Sequence, residues 1–135
     1  MRHNTDTLYL PIKQIYFDQI VAGTKKEEYR EVKMGITASR YLQKNADGSF
    51  ALNPECTEPG KDYYMDDYNN GRFPFLPKKY KYLSLAVGYA KERDTAIVEV
   101  SNITFEIART FGKPPKFAWW IVVFHISKVI EVHRH

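Results

Sequence analysis

The 135-residue sequence contains one cysteine, Cys56. A lone thiol excludes an internal disulfide and a Cys-rich zinc site, and it fits a reducing, intracellular compartment. Long apolar runs are also missing. The longest, FAWWIVVFHI at 117–126, is about half of the roughly 20 residues a membrane helix needs. The opening MRHNTDTLYLPIK lacks the apolar core of a signal peptide. A cytoplasmic protein with no membrane partner is therefore expected. The chain has no internal repeat, low-complexity tract or interdomain linker, so residues 1–135 are read as a single domain. No cluster of carboxylates suggests a metal site, and no cofactor is expected.

Charge of one sign is in short supply as well. Twenty Lys and Arg against sixteen Asp and Glu leave a net +4, which suits a polyanionic partner without demanding one. Aromatic residues are plentiful: 15% of the chain, with ten Tyr and eight Phe. Tyrosine can sit half-buried with its hydroxyl wet, so part of the surplus either lines a groove or rim or simply builds strands.

TLYLPIK (7–13) alternates as a short first strand, although Pro11 also suits the first turn of a helix. In IKQIYFDQIVAG, Ile12, Ile15, Tyr16, Gln19 and Ile20 fall on one helical stripe. Gly23 stands where such a helix would end in a left-handed cap. KKEEYREVK (25–33) then alternates as a strand. From 34 to 77 the pattern weakens. RYLQKNADGSFAL resembles a hairpin turning at Asp47 and Gly48, and the Pro-, Gly-, Asn- and Asp-rich stretch after it reads as loop. Tyr63, Tyr64, Tyr68, Phe73 and Phe75 would pin this insertion down.

KKYKYLSLAVGYA (78–90) and DTAIVEVSNITFEIA (94–108) read as strands joined at KERD, with Val98 and Val100 inward and Ile97 and Glu99 opposite. GKPPK (112–116) precedes a last long strand, where Trp120, Val122, Phe124, Ile126, Ile130 and Val132 share the core-facing parity. One early helix beside an otherwise antiparallel set predicts a mainly β (α+β) fold, a small closed or nearly closed barrel with an irregular insertion at about 34–77.

The densest charge lies in GTKKEEYRE (23–31). On a strand, Glu28 and Arg30 share one face, and Glu27, Tyr29 and Glu31 the other. Read alone, Glu28 and Arg30 form an ion pair bracing the helix–strand junction, while Lys25, Lys26, Glu27 and Glu31 are solvated charges that contribute almost nothing. Read by spacing, Gly23, Lys25, Glu28 and Arg30 spell G-x-K-x-x-E-x-R at a helix end running into a strand.

With the preceding YLPIKQIYFDQIVAG, this motif resembles the ASCH domain, a family sharing the PUA-like barrel of RNA-binding and modified-base-reading modules. VGYAKERDTAIVEVSNI and VVFHISKVIEV look like its later strands. The resemblance spans roughly 8–33 and 78–132 and leaves the insertion without a counterpart. It implies a cleft beside the helix that holds Lys25, Glu28 and Arg30. An arginine offers a planar fork of donors for phosphate or a base edge, and a carboxylate accepts from the exocyclic amine of cytosine or adenine. Lys25 and Arg30 would then hold an anionic group, Glu28 a base amine, with Tyr29 or Tyr89 as stacking aromatics. RNA or a nucleotide-like ligand is the expected partner.

The alternative is an enzyme, an RNA-directed hydrolase or an amidohydrolase for an acylated nucleoside, with Lys25 and Glu28 as the acid–base pair. Some small bacterial ASCH proteins hydrolyse N4-acetylcytidine using the motif lysine, a threonine three residues later and a more distant glutamate. Here the threonine position holds Glu28, a weak nucleophile toward an amide. Thr24 precedes the lysine, and Glu106 is the nearest match to the glutamate. A third polar group on Lys25, such as Ser84 or Glu99, would favour catalysis. Elsewhere, His125 in its apolar strand reads as a satisfied core or groove histidine, and the terminal HRH as a tail that frays. KKYKY (78–82) suits either phosphate contact or a lysine-protected edge strand.

Overall fold

The computed structural model describes residues 6–33, 35–52, 75–107 and 120–135, leaving aside the side chains of residues 106 and 107. Tyr63, Tyr64, Tyr68, Phe73, Cys56 and the GKPPK break lie outside the described residues, as does the side chain of Glu106. The element order is β1 (Thr7–Ile12), α1 (Gln14–Ala22), β2 (Glu27–Val32), α2 (Ala38–Tyr41), β3 (Tyr82–Val87), β4 (Thr95–Ile107) and β5 (Trp120–His133). The fold is mainly β. Its five strands form one sheet in the order β1-β3-β4-β5-β2.

Two compact units divide the chain. One comprises Met1–Glu28, Lys79–Asn102 and Phe124–His135, and the other Tyr29–Lys78 and Ile103–Val123. In the first unit, period-2 alternation writes the core directly. Leu8, Leu10 and Ile12 are buried on β1 while Tyr9 and Pro11 face outward. Register aligns Leu8 with Leu83 and Leu83 with Val98, then Leu10 with Leu85 and Leu85 with Ala96. All of these side chains are buried, so each cross-strand row is an apolar ladder rung. Truncating Leu83 or Leu85 to Ala would cost about 2–5 kcal/mol.

The expectation of an otherwise antiparallel set is corrected here: β1 and β3 pair in parallel. Parallel neighbours cannot be joined by a tight turn, and the connection from β1 to β3 contains α1, β2 and the insertion. Pro11 lies in β1, an end strand of the sheet order, where a missing N–H is tolerated.

The helix stripe is also corrected. Ile12 belongs to β1, and Lys13 has extended backbone at φ −75°, ψ 147°. The helical period therefore starts afresh at Gln14. Phe17 and Ile20, spaced i, i+3, are the residues it buries, whereas Ile15 is 60% and Tyr16 43% exposed. The helix packs against β3. Gly23 ends it as anticipated, at φ 82°, with its N–H donating to the Ile20 carbonyl.

In the second unit, α2 adds a four-residue helix the sequence pattern did not announce. The hairpin expected around Asp47 and Gly48 is present in short form: Lys44 and Phe50 bridge antiparallel, the Asn45 N–H donates to the Ser49 carbonyl and the Ala51 N–H to the Gln43 carbonyl, with Gly48 at φ 89°. Phe75 does anchor its segment, meeting Phe50 edge-on at 5.7 Å.

On β5 the expected single parity fails. Ile121, Val122, Val123 and Phe124 are buried in succession, while Ile126 and Ile130 are only half-buried and Val132 is exposed. A strand covered on both faces early and uncovered later shows no uniform alternation. On β4, Val98 is buried as expected, and Val100 is half-buried.

Candidate functional site

The αL cap at Gly23 turns the chain out of α1 and lets Thr24 and Lys25 fold back over its last turn. Both backbone N–H groups donate to the Gln19 carbonyl, at 3.0 and 3.2 Å. The Thr24 hydroxyl also donates to that carbonyl, at 3.2 Å. This engagement satisfies a helix-end acceptor, and it ties up the one aliphatic hydroxyl in the motif.

Lys25 then places its Nζ 3.5 Å from Glu28 Oε1, with the side chains 17% and 5% exposed. Removing a carboxylate from water costs several kcal/mol unless it is paired, and the ammonium offsets part of that cost. The separation exceeds the roughly 2.7–2.9 Å of a tight charge-assisted hydrogen bond. The same Nζ stands 5.4 Å from the centroid of the Tyr16 ring, within cation–π range. Ring, ammonium and carboxylate thus meet at the junction of α1 and β2.

The other predicted site residues sit differently. Arg30 donates from Nη1 to the Tyr29 carbonyl at 2.8 Å, and its charge acts on Tyr41, a buried phenol on α2. Burial raises the Tyr41 pKa, while the charges of Arg30 and Arg40 oppose that rise. Tyr29 is half-buried and packs against Ile121 and Val123. Tyr89 is 84% exposed in the turn between β3 and β4. Ser84 lies on β3 opposite Tyr9 and Ile97. Glu99, offered as a third group for Lys25, accepts from the Ser127 hydroxyl at 2.7 Å.

Two charges read as solvated have partners. Glu27 lies 3.1 Å from His125 Nδ1, beside a backbone bond from the Ile126 N–H to the Lys26 carbonyl. Glu31 lies 3.4 Å from Lys33. Lys26 is exposed.

The tail read as fraying is instead held down. Arg134 Nη1 reaches Asp18 at 2.7 Å and Asp94 at 3.3 Å, and its guanidinium lies 5.3 Å from the Phe17 ring. Gln14 Nε2 donates to Asp18 and Asp94, at 3.0 Å each, and the His135 N–H donates to Asp94 at 2.7 Å. Asp18 lies on α1 and Asp94 just before β4, far apart in sequence, so only tertiary structure could reveal this cluster. Among the described residues no group of His, Cys, Asp and Glu is placed to hold a metal ion, and no helix is long and apolar enough to cross a membrane.

No family model matches the chain, and no curated protein or solved structure shows a significant match to it.

Proposed function

We propose that this chain reads RNA or a modified nucleotide, on a small PUA-like barrel of the ASCH kind, through the junction of α1 and β2. The observation that carries the reading is the Lys25–Glu28 pair 3.5 Å apart beside the Tyr16 ring. An ammonium donates to base acceptors or phosphate, and a neighbouring carboxylate accepts from an exocyclic amine. Together they match the edge of a cytosine or adenine. Arg30 and Tyr29 belong to the second compact unit; the part of Arg30 in the reading rests on the G-x-K-x-x-E-x-R motif alone, and that of Tyr29 on its being an aromatic beside it. Tyr89 is available for stacking in the sense that its ring is exposed. A net charge of +4 suits a polyanion.

The hydrolase reading is kept as the alternative because Lys25 and Glu28 stand together, 3.5 Å apart, as a candidate acid and base for a substrate. Against it stands the nucleophile. Glu28 occupies the threonine position, and the Thr24 hydroxyl donates to the Gln19 carbonyl. A binding and turnover screen over RNA oligomers and nucleosides, N4-acetylcytidine included, separates the two. Binding without turnover, weakened in Lys25→Ala and Glu28→Ala, supports the reader. Turnover abolished by both substitutions replaces it with the enzyme.

A further inference from the structure

We propose that Tyr16 is the platform on which a nucleobase of single-stranded RNA stacks, with Lys25 and Glu28 addressing the edge of that base. This inference rests on the reader function and supplies the grip that the motif itself lacks.

Tyr16 lies off the buried face of α1 and is 43% exposed, while the adjacent Phe17 is fully buried. One exposed aromatic is unremarkable by itself. Tyr16 differs because its ring shares a cation with a buried carboxylate: Lys25 Nζ lies 5.4 Å from the ring centroid and 3.5 Å from Glu28 Oε1. All three residues belong to one compact unit. They provide a π-surface, a donor and an acceptor side by side. Those are the three elements by which unpaired bases are held: stacking on an aromatic ring and hydrogen bonds along the base edge.

The other two tyrosines suggested for stacking fit this role less well. Tyr29 packs against Ile121 and Val123, and Tyr89 lies in the β3–β4 turn. The neighbouring Ile15 is exposed too and would equally serve an apolar peptide. A nucleobase is the occupant the site favours, since its face can stack on the ring while its edge meets the Lys25 cation beside that ring, whereas an apolar side chain would use the ring alone.

The test measures fluorescence anisotropy of a labelled single-stranded RNA octamer and of an abasic ribose-phosphate octamer, with free cytidine and adenosine as competitors. Wild type, Tyr16→Ala and Tyr16→Phe are compared, and thermal melts confirm that the variants fold. Wild type is expected to prefer the RNA to the abasic strand. Tyr16→Ala should weaken RNA binding by about 5- to 150-fold, the loss of one stacked base, and leave the abasic strand unaffected. Tyr16→Phe, which keeps the ring, should bind like wild type. Competition by the free nucleosides with the same dependence on the Tyr16 ring would also support the platform and make a free nucleoside sufficient as ligand. If wild type binds RNA and Tyr16→Ala binds it equally well, the platform is wrong and the reader stands. Equal binding of RNA and abasic strand by wild type also overturns the platform. Absence of binding to every RNA and nucleoside overturns both.

Discussion

Arg134 returns to Asp18, 116 positions earlier in the chain, and sets Nη1 2.7 Å from the carboxylate. The same guanidinium reaches Asp94, and Gln14 bridges the two aspartates. The end of β5, the start of α1 and the approach to β4 are thereby tied together within one unit. The hydrogen bond from Arg134 and the one from Gln14 hold the Asp18 pKa below its usual value. At Asp94 the His135 N–H is the leading cause of a similar depression, followed by Gln14 and Arg134.

A depressed carboxylate pKa adds stability that is present above the unfolded value and lost as pH falls through the folded value. The Tm difference between wild type and Arg134→Ala should accordingly be largest near neutral pH. It should shrink below about pH 4 as both aspartates protonate. Calorimetry across that range checks it, and a difference that is constant with pH would show that Arg134 acts through packing on Phe17 alone.

Breaking the Lys25–Glu28 pair should be asymmetric. Lys25→Met removes the cation 3.5 Å from a 5%-exposed carboxylate, at a cost of up to about 3 kcal/mol. Glu28→Gln leaves an ammonium with more access to water and should cost roughly 1 kcal/mol. Urea denaturation of both variants measures the two costs. Equal losses would mean that Glu28 is better solvated than its burial indicates.

Gly23 holds φ at 82° with open space around the site of a Cβ, so the penalty for a side chain there is conformational. Gly23→Ala should destabilise by about 1–2 kcal/mol. Gly23→Asn should cost less, since asparagine tolerates the left-handed region. Thermal melts of the two variants should rank in that order.

Tyr41 carries an alkaline signature. Its folded pKa is raised by burial despite Arg30 and Arg40. For a proton held more tightly in the folded state, stability is intact below the unfolded value near 10 and falls as pH rises through the folded one. Tyr41→Phe removes this loss. The stability gap between wild type and that variant should move in favour of the variant above about pH 10, as denaturation at pH 8 and pH 11 would show.

How much of this was legible beforehand differs by element. The strand at 7–12 and the glycine at its helix cap could be read because alternation and punctuation are local. The stripe containing Tyr16 was misread because a strand and a helix abut at Lys13, and a periodicity counted across that join mixes two geometries. The β5 parity failed for a related reason: Ile121 through Phe124 are covered on both faces, and alternation records only one. Strand alternation matches Glu28 with Arg30 and leaves Lys25 in solvent, because it says nothing of where a turn residue's long stem folds; Lys25 in fact lies 3.5 Å from Glu28. Asp18, Asp94 and Arg134 could not be paired beforehand, because nothing local links a helix, a turn and a chain end that meet only in three dimensions.

The affinity for single-stranded RNA as a function of salt, in wild type, Lys25→Ala and Arg30→Ala, tests the reader function most directly. A reader that holds phosphate with Arg30 shows log affinity falling linearly with log salt concentration; Arg30→Ala flattens the slope by about 0.7, and Lys25→Ala, which removes a donor to the base edge, lowers the affinity at every salt concentration. Binding that ignores salt, an unchanged slope in Arg30→Ala, or no binding at all would contradict it.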